Sequence, residues 1–562
     1  MRNKTRWLAL GLVLCLVLAG CGGSPVDQGD QPSPTVSPDN TPAPDADNAF
    51  LVSIPAEPEM IDPTAAATAA EMEILPHLFE GLMKWSPSNR EAAPGLAWAQ
   101  VEPGMAKGYE KLLSDDGRAT YTFRLRPAKW SDGKAVTAHD FVYSWQRLMN
   151  PANHADYAEL LADCVVGGHE VMEGLAQLSD LGVRAVDDTT FEVTLLQDVP
   201  WFLELCALPV TAPVRQDAVE GSEKGWTASA ETYLTNGPYR LAAWEEGYMA
   251  LEKNPEYYDK AAGPDTLMFI FQDGTATDLA TFQAGTLDFL QGADPAQEGV
   301  GLAPYAASYY LMFQTQKAPF DNPLVRQAFA LAIDRTALVE DAAPGQIPAG
   351  GLVPTGVHGS DGAAGADFRT RAGNWLDPSE KACADNREKA KALLRQAGYP
   401  GGAGFPAVSY LCPENTAHQA VGQALCEMWQ EALGVEVSME AVDWTTFLRR
   451  CHQGDYFMAR GRWVAEYNDP ISFLGLWHSQ SLANDAKYQS GQFDQLLERA
   501  SQAADPSARM DALVQTEEQI IAQDWALAPL YYETQAYFRQ DAARGVCYTP
   551  LGSFVFTHSA KK

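Results

Sequence analysis

The alternation of apolar and polar residues along the chain predicts short strands and helices in mixed order. The stretch 120–130 (TYTFRLRPAKW) alternates with a period of two, which is typical of a half-buried strand. Thr137 and Asp140 then resemble a helix N-terminal capping box, with apolar residues at helical spacing behind them. An Asn-Pro pair at 150–151 predicts the end of that helix. Similar stretches recur without an internal repeat, and the pattern therefore predicts an α/β protein.

The first 21 residues, MRNKTRWLALGLVLCLVLAGC, combine a basic start with an apolar core and a cysteine. The apolar run 7–19 has the length of a signal peptide and is short for a membrane span. Small residues precede Cys21, and the whole arrangement resembles the lipobox of bacterial lipoproteins. We therefore expect residues 1–20 to be removed and Cys21 to be lipidated. A simple secreted protein with a chance cysteine is the alternative.

Residues 21–49 are rich in Pro, Ser, Asp and Gly and offer almost nothing to bury. Such a segment does not offset its ordering entropy, so it is predicted to be a disordered tether outside the membrane. The remainder is too long for one hydrophobic core, and two or more lobes are expected. No later stretch is long and apolar enough to cross a bilayer.

The chain is strongly acidic, with a formal charge of −33. Residues 1–20 carry three basic and no acidic side chains, so their removal brings the charge to −36. This balance disfavours nucleic acid and anionic lipid surfaces as partners and is compatible with cationic ligands. Seven cysteines remain beyond Cys21, and an odd number leaves at least one thiol unpaired.

Motifs of catalysis and cofactor binding are missing from the sequence. It contains no GxSxG, GxxxxGK[ST], GxGxxG or HExxH pattern, and its nine histidines show no metal-ligand spacing. We therefore expect no cofactor, no metal and no enzymatic activity. An enzyme with catalytic groups distant in sequence is the weakest of the alternatives.

Several phrases distributed over the chain carry a family resemblance. In order, they are HLFEGLMKW, PGLAWA, YTFRLRPAKWSDGKAVTAHDFVYSWQRLMNP, DDTTFEVTL, TNGPYRLAAW, LEKNPEYYD, KAPFDNPLVRQAFALAIDR and AKALLRQAGY. Together they resemble family 5 of the extracytoplasmic solute-binding proteins, the oligopeptide-binding branch of ABC-type peptide importers. The resemblance implies a two-lobed periplasmic-binding-protein-like fold, with an extra subdomain on lobe I and a two-segment hinge.

The resemblance also implies a division of the chain. We expect lobe I over 50–307 with the inserted subdomain at about 70–205, lobe II over 308–531, and a return to lobe I over 532–562. The two crossings are placed near 305–314 and 530–533, where SYYLMFQ and APLYYE are typical of extended connectors. Ordinary core strands explain these two stretches equally well.

One acid lies in an apolar run that looks like a strand, WVAEYNDP, and is the leading candidate for ligand binding. In the oligopeptide-binding family this motif carries an aspartate, which pairs with the α-ammonium group of the peptide. Here the acid is Glu466, whose extra methylene alters the anchoring geometry and keeps the charge. A carboxylate facing a closed cleft is costly unless a cation compensates it. In a regular strand, Arg460 and Arg462 lie on the same face, so a structural salt bridge is the alternative.

The resemblance assigns further residues to the ligand. Arg460 is available for the carboxylate end of the peptide or for acidic side chains, and Val464 offers backbone groups. Trp463 should line a side-chain pocket, which requires a bulge or twist because alternation puts it opposite Glu466. The remaining candidates are a second pocket tryptophan, an arginine beside the position of a second family arginine, and an N-terminal acid: Trp444, Arg450 and Glu57.

The expected partners are oligopeptides and an ABC-type permease and ATPase complex. The membrane is reached through lipidated Cys21, nucleic acid is excluded, and the protein is expected to be a monomer. A binder of metal chelates, haem or sugars on the same fold is one alternative, because fold does not decide function. A signalling lipoprotein without a transporter is another.

Overall fold

The computed structural model describes residues 49–222, 225–260, 263–272, 276–359 and 367–561. The predicted signal peptide, the lipidation site Cys21 and nearly all of the tether lie outside these residues. No helix in the described part of the chain is long and apolar enough to span a membrane. The seven cysteines in the described part are free thiols.

The secondary structure alternates between strands and helices along the whole described chain. The strands are β1 Ala49–Ile54, β2 Met83–Ala93, β3 Leu96–Pro103, β4 Ala106–Leu113, β5 Ala119–Leu125, β6 Val183–Asp187, β7 Thr190–Leu195, β8 Tyr239–Glu245, β9 Tyr248–Lys253, β10 Thr266–Phe271, β11 Phe289–Gln291, β12 Gly301–Phe313, β13 Ile347–Pro348, β14 Val408–Pro413, β15 Val437–Val442, β16 Met458–Val464, β17 Leu527–Arg539, β18 Ala543–Arg544, β19 Cys547–Tyr548, β20 Phe554–Val555 and β21 Ala560–Lys561. The α-helices are α1 Ala69–Leu78, α2 Ala138–Leu148, α3 Ala158–Ala162, α4 Gly168–Met172, α5 Phe202–Leu205, α6 Gln216–Gly221, α7 Ala276–Gln283, α8 Pro323–Leu331, α9 Arg335–Ala342, α10 Phe368–Ala372, α11 Glu380–Gln396, α12 Thr416–Leu433, α13 Trp444–Gln453, α14 Ile471–Leu474, α15 Gly491–Gln502 and α16 Pro506–Glu518.

Local patterns explain where several elements begin and end. The predicted strand near residue 120 is β5, which pairs with β4 and β7 and buries alternate side chains. The predicted capping box is present, because Asp140 accepts a hydrogen bond from the backbone N–H of Thr137 at the start of α2. The helix ends at Leu148, and the apolar face of α2 buries Phe141 and Trp145 completely. These predictions are confirmed.

One large sheet runs through the molecule in the order β15-β14-β16-β12-β17-β11-β1-β10-β9-β8, with β13 paired to β17. The described residues also form smaller sheets, in the orders β4-β5-β7-β6 and β2-β3-β19-β20, and β18 pairs with β21. The large sheet mixes parallel and antiparallel pairs, as in β1 with β10 and β12 with β17. The C-terminal segment returns to the first half of the chain, since β19 pairs with β3.

Two long strands connect the two ends of this sheet. Strands β12 and β17 have 13 residues each and are antiparallel to one another. Their register shifts between Pro304 and Ser308, so the pairing is irregular at this point. On one side of the irregularity β17 pairs with β11, and on the other side β12 pairs with β16. The stretches predicted as lobe crossings, near 305–314 and 530–533, lie in these two strands. They are core strands of the large sheet and at the same time extended segments between its two ends.

The apolar side chains form two large clusters, one on either side of the irregular pairing between β12 and β17. The first cluster takes its buried residues from 50–303 and 537–556, and the second takes them from 306–531. A third, smaller cluster packs beside β11 and the end of β17. Each large cluster is a hydrophobic core of its own, and the ligand-binding candidates lie near the strands that join them.

Candidate functional site

The loop after β16 carries Glu466, and its conformation differs from the expected strand. Strand β16 ends at Val464, and Glu466 lies in a bend two residues later. Its backbone N–H donates to Ser472 Oγ at 3.1 Å, and Trp463 Nε1 lies 3.5 Å from the same oxygen. The prediction that Glu466 lies within a strand is therefore wrong. The bend removes the alternation that would place Trp463 and Glu466 on opposite faces.

The carboxyl group of Glu466 is half-buried, and among the described residues it has no salt bridge. Burial, together with the negative charges of Glu159 and Asp163, raises its pKa to about 7. Glu159 lies in α3 and Asp163 follows its last residue, so the inserted segment of the first cluster contributes this acidic surrounding. A desolvated carboxyl without a cation favours binding of a positive group.

The two arginines of β16 do not pair with Glu466. Arg462 forms a two-pronged ion pair with Glu533 of β17, with Nε–Oε1 at 2.6 Å and Nη2–Oε2 at 2.8 Å. Arg460 lies with its guanidinium carbon 5.3 Å from the ring centre of Tyr309 and 5.8 Å from that of Trp444. The alternative of a structural salt bridge to Glu466 is therefore not formed.

Arg460 and Trp444 lie next to each other. Only 7% of Arg460 is exposed, and its Nε has no hydrogen-bond partner among the described residues. Trp444 is the first residue of α13, is 37% exposed and stacks on Phe447 at 5.6 Å. A buried guanidinium with an unused N–H is suited to a carboxylate or a carbonyl group of a ligand.

His418 belongs to the same basic region and was missed in the sequence. It lies in the first turn of α12, and its Nδ1 is 3.2 Å from the hydroxyl of Tyr309. Burial, together with the positive charges of Arg460 and Arg462, lowers the pKa of His418 to about 3. Its imidazole is therefore neutral near pH 7 and serves as a hydrogen-bonding group. No motif links the two residues, because His418 is about 40 residues from Arg460.

The remaining candidates have different surroundings. Val464 is the last residue of β16 and pairs with Ala307 of β12, next to the irregular register. Arg450 is engaged by two acids of its own region, Glu440 at 2.6 Å and Asp455 at 3.4 Å. These ion pairs explain Arg450 without a ligand.

Glu57 follows β1 in an exposed position and is not brought near the other candidates by any contact of the described residues. Its Oε1 accepts a hydrogen bond of 2.7 Å from Trp244 Nε1 of β8, the edge strand of the large sheet. Within the described ranges there is also no group of three or more His, Cys, Asp or Glu side chains that could hold a metal ion. The candidate residues thus fall into an acidic group around Glu466 and a basic group around Arg460.

Comparison with known proteins identifies chains that share this fold. Residues 100–485 match the family described as bacterial extracellular solute-binding proteins, family 5. The oligopeptide-binding protein OppA of Salmonella typhimurium is 33% identical over 509 residues, covering 87% of this chain and 91% of the relative. OppA of Bacillus subtilis is 29% identical and covers 99% of both chains. A probable deoxycholate-binding protein of Escherichia coli, YgiS, is 31% identical over 85% of this chain and 86% of its own.

Solved structures give the same result for the fold. The murein tripeptide-binding protein MppA in its unliganded open form superposes with a TM-score of 0.77 at 28% identity, covering 92% of this chain and 97% of that chain. OppA of Haemophilus influenzae in complex with the peptide RPPGFSPFR gives a TM-score of 0.65 at 28% identity, covering 92% and 99%. The expected two-lobed α/β solute-binding fold is confirmed. Proteins of this family are extracytoplasmic binding proteins rather than enzymes, and this chain belongs to family 5 of the bacterial extracellular solute-binding proteins.

Proposed function

We propose that this protein captures oligopeptides between its two lobes and delivers them to an ABC-type permease and ATPase complex. The observation that carries the proposal is Glu466, a half-buried carboxyl group without a basic partner among the described residues. The names of the relatives support the class of cargo, since they bind oligopeptides, dipeptides or murein peptides.

The acidic part of the site is suited to the α-ammonium group of a peptide. Burial and the charges of Glu159 and Asp163 make the ionised form of Glu466 unfavourable in the free protein. An ammonium group that enters the site supplies the missing positive charge and donates charge-assisted hydrogen bonds. Ligand binding thus relieves an unfavourable arrangement instead of replacing an existing salt bridge.

The basic part of the site is suited to backbone carbonyls, acidic side chains or the carboxylate end. Arg460 has an unused buried N–H, and Trp444 beside it presents an exposed aromatic face. His418 adds a neutral hydrogen-bonding group next to Tyr309. A ligand with a positive start and a negative end is complementary to this distribution, whereas the two ends of the site repel the reversed orientation.

The proposed motion is a closure of the lobes about strands β12 and β17. We keep the division into lobe I at 50–307 with its subdomain at about 70–205, lobe II at 308–531 and the return at 532–562. The two separate large cores support the boundary between the lobes. The higher TM-score to the unliganded open form than to the peptide complex supports an open arrangement of this structure. Closure around a peptide then removes water from both charged ends.

The proposed location is the outer face of the cell membrane. Lipidated Cys21 provides the anchor after removal of residues 1–20, and residues 21–49 act as the tether. A monomer on such a tether meets the permease by diffusion close to the membrane.

A non-peptide cargo is the second candidate, because the relative YgiS is named as probably binding deoxycholate. Deoxycholate is an anion without an ammonium group, and it would leave Glu466 uncompensated. The unpaired acid therefore favours peptides.

Mass spectrometry of ligands retained after gentle purification tests the proposal. We expect co-purified peptides with free N-termini, and titration calorimetry with one of them should give saturable binding. Retention of bile acids, metal chelates or sugars in place of peptides would contradict the proposal.

A further inference from the structure

The four residues from Glu466 to Asp469 form a loop that is fixed from both lobes. Tyr467 stacks on Trp201, which precedes α5, with ring centres 4.3 Å apart and planes 11° from parallel. Asp469 forms a two-pronged ion pair with Arg509 of α16 at 2.8 and 2.9 Å. Between them, Asn468 is fully buried. The loop of the ammonium candidate is thus held by lobe I on one side and by lobe II on the other.

Asn468 is the centre of a buried polar chain that crosses between the lobes. Its Oδ1 accepts the backbone N–H of His358 at 2.9 Å, and its Nδ2 lies 3.3 Å from Glu204 Oε1 of α5. The ring of His358 continues the chain, because its Nε2 lies 3.2 Å from Arg90 Nη1 of β2. Arg90 and Glu204 belong to the first lobe, whereas His358 and Asn468 belong to the second.

The surroundings of His358 disfavour a doubly protonated ring. Both ring nitrogens face N–H donors, Arg90 Nη1 at 3.2 Å and Asn468 Nδ2 at 3.3 Å. A doubly protonated ring would therefore direct its own N–H groups at two other donors. Burial and the charge of Arg90 lower the pKa of His358 to about 4, in agreement with this geometry.

We propose that the chain Arg90–His358–Asn468–Glu204 is a positioning network that sets the location of the Glu466 carboxylate relative to lobe I. This inference rests on the proposed function. Glu466 is two residues from Asn468, and only Tyr467 separates them. A charged group recognises its ligand well only when its support is held to about half an ångström. None of the four residues is proposed to contact the peptide, so they are expected to act through the position of Glu466.

The test measures selectivity for the ammonium group rather than affinity alone. Titration calorimetry at pH 7.5 gives the Kd of one peptide with a free N-terminus and the Kd of its N-acetylated form. The Kd of the acetylated form divided by the Kd of the free form is the selectivity ratio, and it reports the Glu466 anchor. We expect Asn468→Ala to lower this ratio about fivefold or more, since it removes at least one hydrogen bond that holds the loop. His358→Ala should also lower the ratio, and His358→Gln should restore part of it by offering Arg90 an acceptor.

Asn484→Ala is the matched control. Asn484 is also buried in lobe II and makes comparable hydrogen bonds to Trp477, His478 and Tyr488, away from the Glu466 loop. It should lower the melting temperature and leave the ratio unchanged. If Asn468→Ala does not fold, the two His358 variants decide the question.

Two negative results are distinguishable. A wild-type protein that binds free and acetylated peptides equally would contradict the ammonium anchor itself. The second result is a wild type with clear selectivity and a ratio that stays unchanged in Asn468→Ala, His358→Ala and Asn484→Ala. This result would overturn only the positioning network.

Discussion

The raised pKa of Glu466 leads to a pH dependence of peptide binding. In the free protein the pKa is about 7, because the carboxyl group is desolvated and lies near Glu159 and Asp163. The ammonium group of a peptide pairs only with the ionised form, so binding below pH 7 must first release a proton from Glu466. The affinity should therefore fall as the pH falls through this pKa.

The size of the effect follows from the two titrating partners. Between pH 7.5 and 5.5 the ionised fraction of Glu466 falls about 25-fold, given a pKa of about 7. The α-amino group of the peptide has a pKa of about 8 and gains protons over the same range, which offsets part of the loss. We expect a net loss of affinity of about 19-fold, or about 1.7 kcal/mol. Above about pH 8 the affinity should fall again as the peptide loses its own charge.

Titration calorimetry over this pH range measures the effect with two controls. An N-acetylated peptide carries no ammonium group, so its weak binding should vary little with pH. Glu466→Gln removes the titrating carboxyl group and should leave only the titration of the peptide above pH 8. His418 does not confuse the result, because its pKa is lowered to about 3. Equal affinities of wild type for the free peptide at pH 7.5 and 5.5 would refute the reasoning.

Three further predictions concern the anchor, the motion and the core. Cys21→Ser should abolish palmitate incorporation and release the protein from membranes, because it removes the only proposed acylated residue; continued labelling of the variant would exclude this anchor. Saturating peptide should lower the radius of gyration in small-angle scattering, since the open lobes close; an unchanged radius with confirmed binding would speak for a preformed site. Burial raises the pKa of Glu73 to about 8 in the folded protein. The stability that Glu73 contributes is therefore fully present below about pH 4.5 and is lost as the pH rises through 8. The pKa of His77 is lowered to about 4, so His77 changes the pH dependence of stability only below its unfolded pKa of about 6.5. Between pH 6.5 and 8 the free energy of unfolding should therefore fall by about 1 kcal/mol per pH unit because of Glu73. Glu73→Gln should flatten this slope in urea titrations.

Local patterns were sufficient for elements whose ends are set by their own residues. The capping box of α2 needs only Thr137 and Asp140, and the carboxylate of Asp140 accepts hydrogen bonds from the backbone N–H and the hydroxyl of Thr137. The order of the family phrases was sufficient for the fold, because the chain belongs to the family that they resemble. The positions of the lobe boundaries stay predictions that motion must test.

The end of β16 was not predictable from its own residues. The apolar run continues to Tyr467, yet the last hydrogen bond to the partner strand is made by Ala465 N–H to Ala306 O at 2.8 Å. Beyond it, the hydroxyl of Ser472 takes the N–H of Glu466. A neighbouring strand and a side chain from α14 therefore decide where this strand ends, and tertiary contacts override strand propensity.

Partners from distant segments were also not predictable. Arg462 pairs with Glu533, which is 71 residues away, and the acids that raise the pKa of Glu466 come from the region of α3. Nothing in the spacing of these residues indicates their proximity. The motif thus pointed to Glu466 as the candidate anchor, and the charges that surround it were missed.

The ammonium anchor at Glu466 is tested most directly by combining the loss of each partner. Titration calorimetry at pH 7.5 compares wild type and Glu466→Gln with a free and an N-acetylated peptide. Glu256→Gln serves as the control for a lost negative charge, since its carboxylate pairs with Lys129 at 2.8 Å elsewhere on lobe I. Removal of one partner of a desolvated charge pair costs roughly 2–5 kcal/mol, so each single change should weaken binding at least about 30-fold. The second change should then add little, because the pair is already lost. Equal binding of both peptides by the wild type, or losses that simply multiply, would contradict the account.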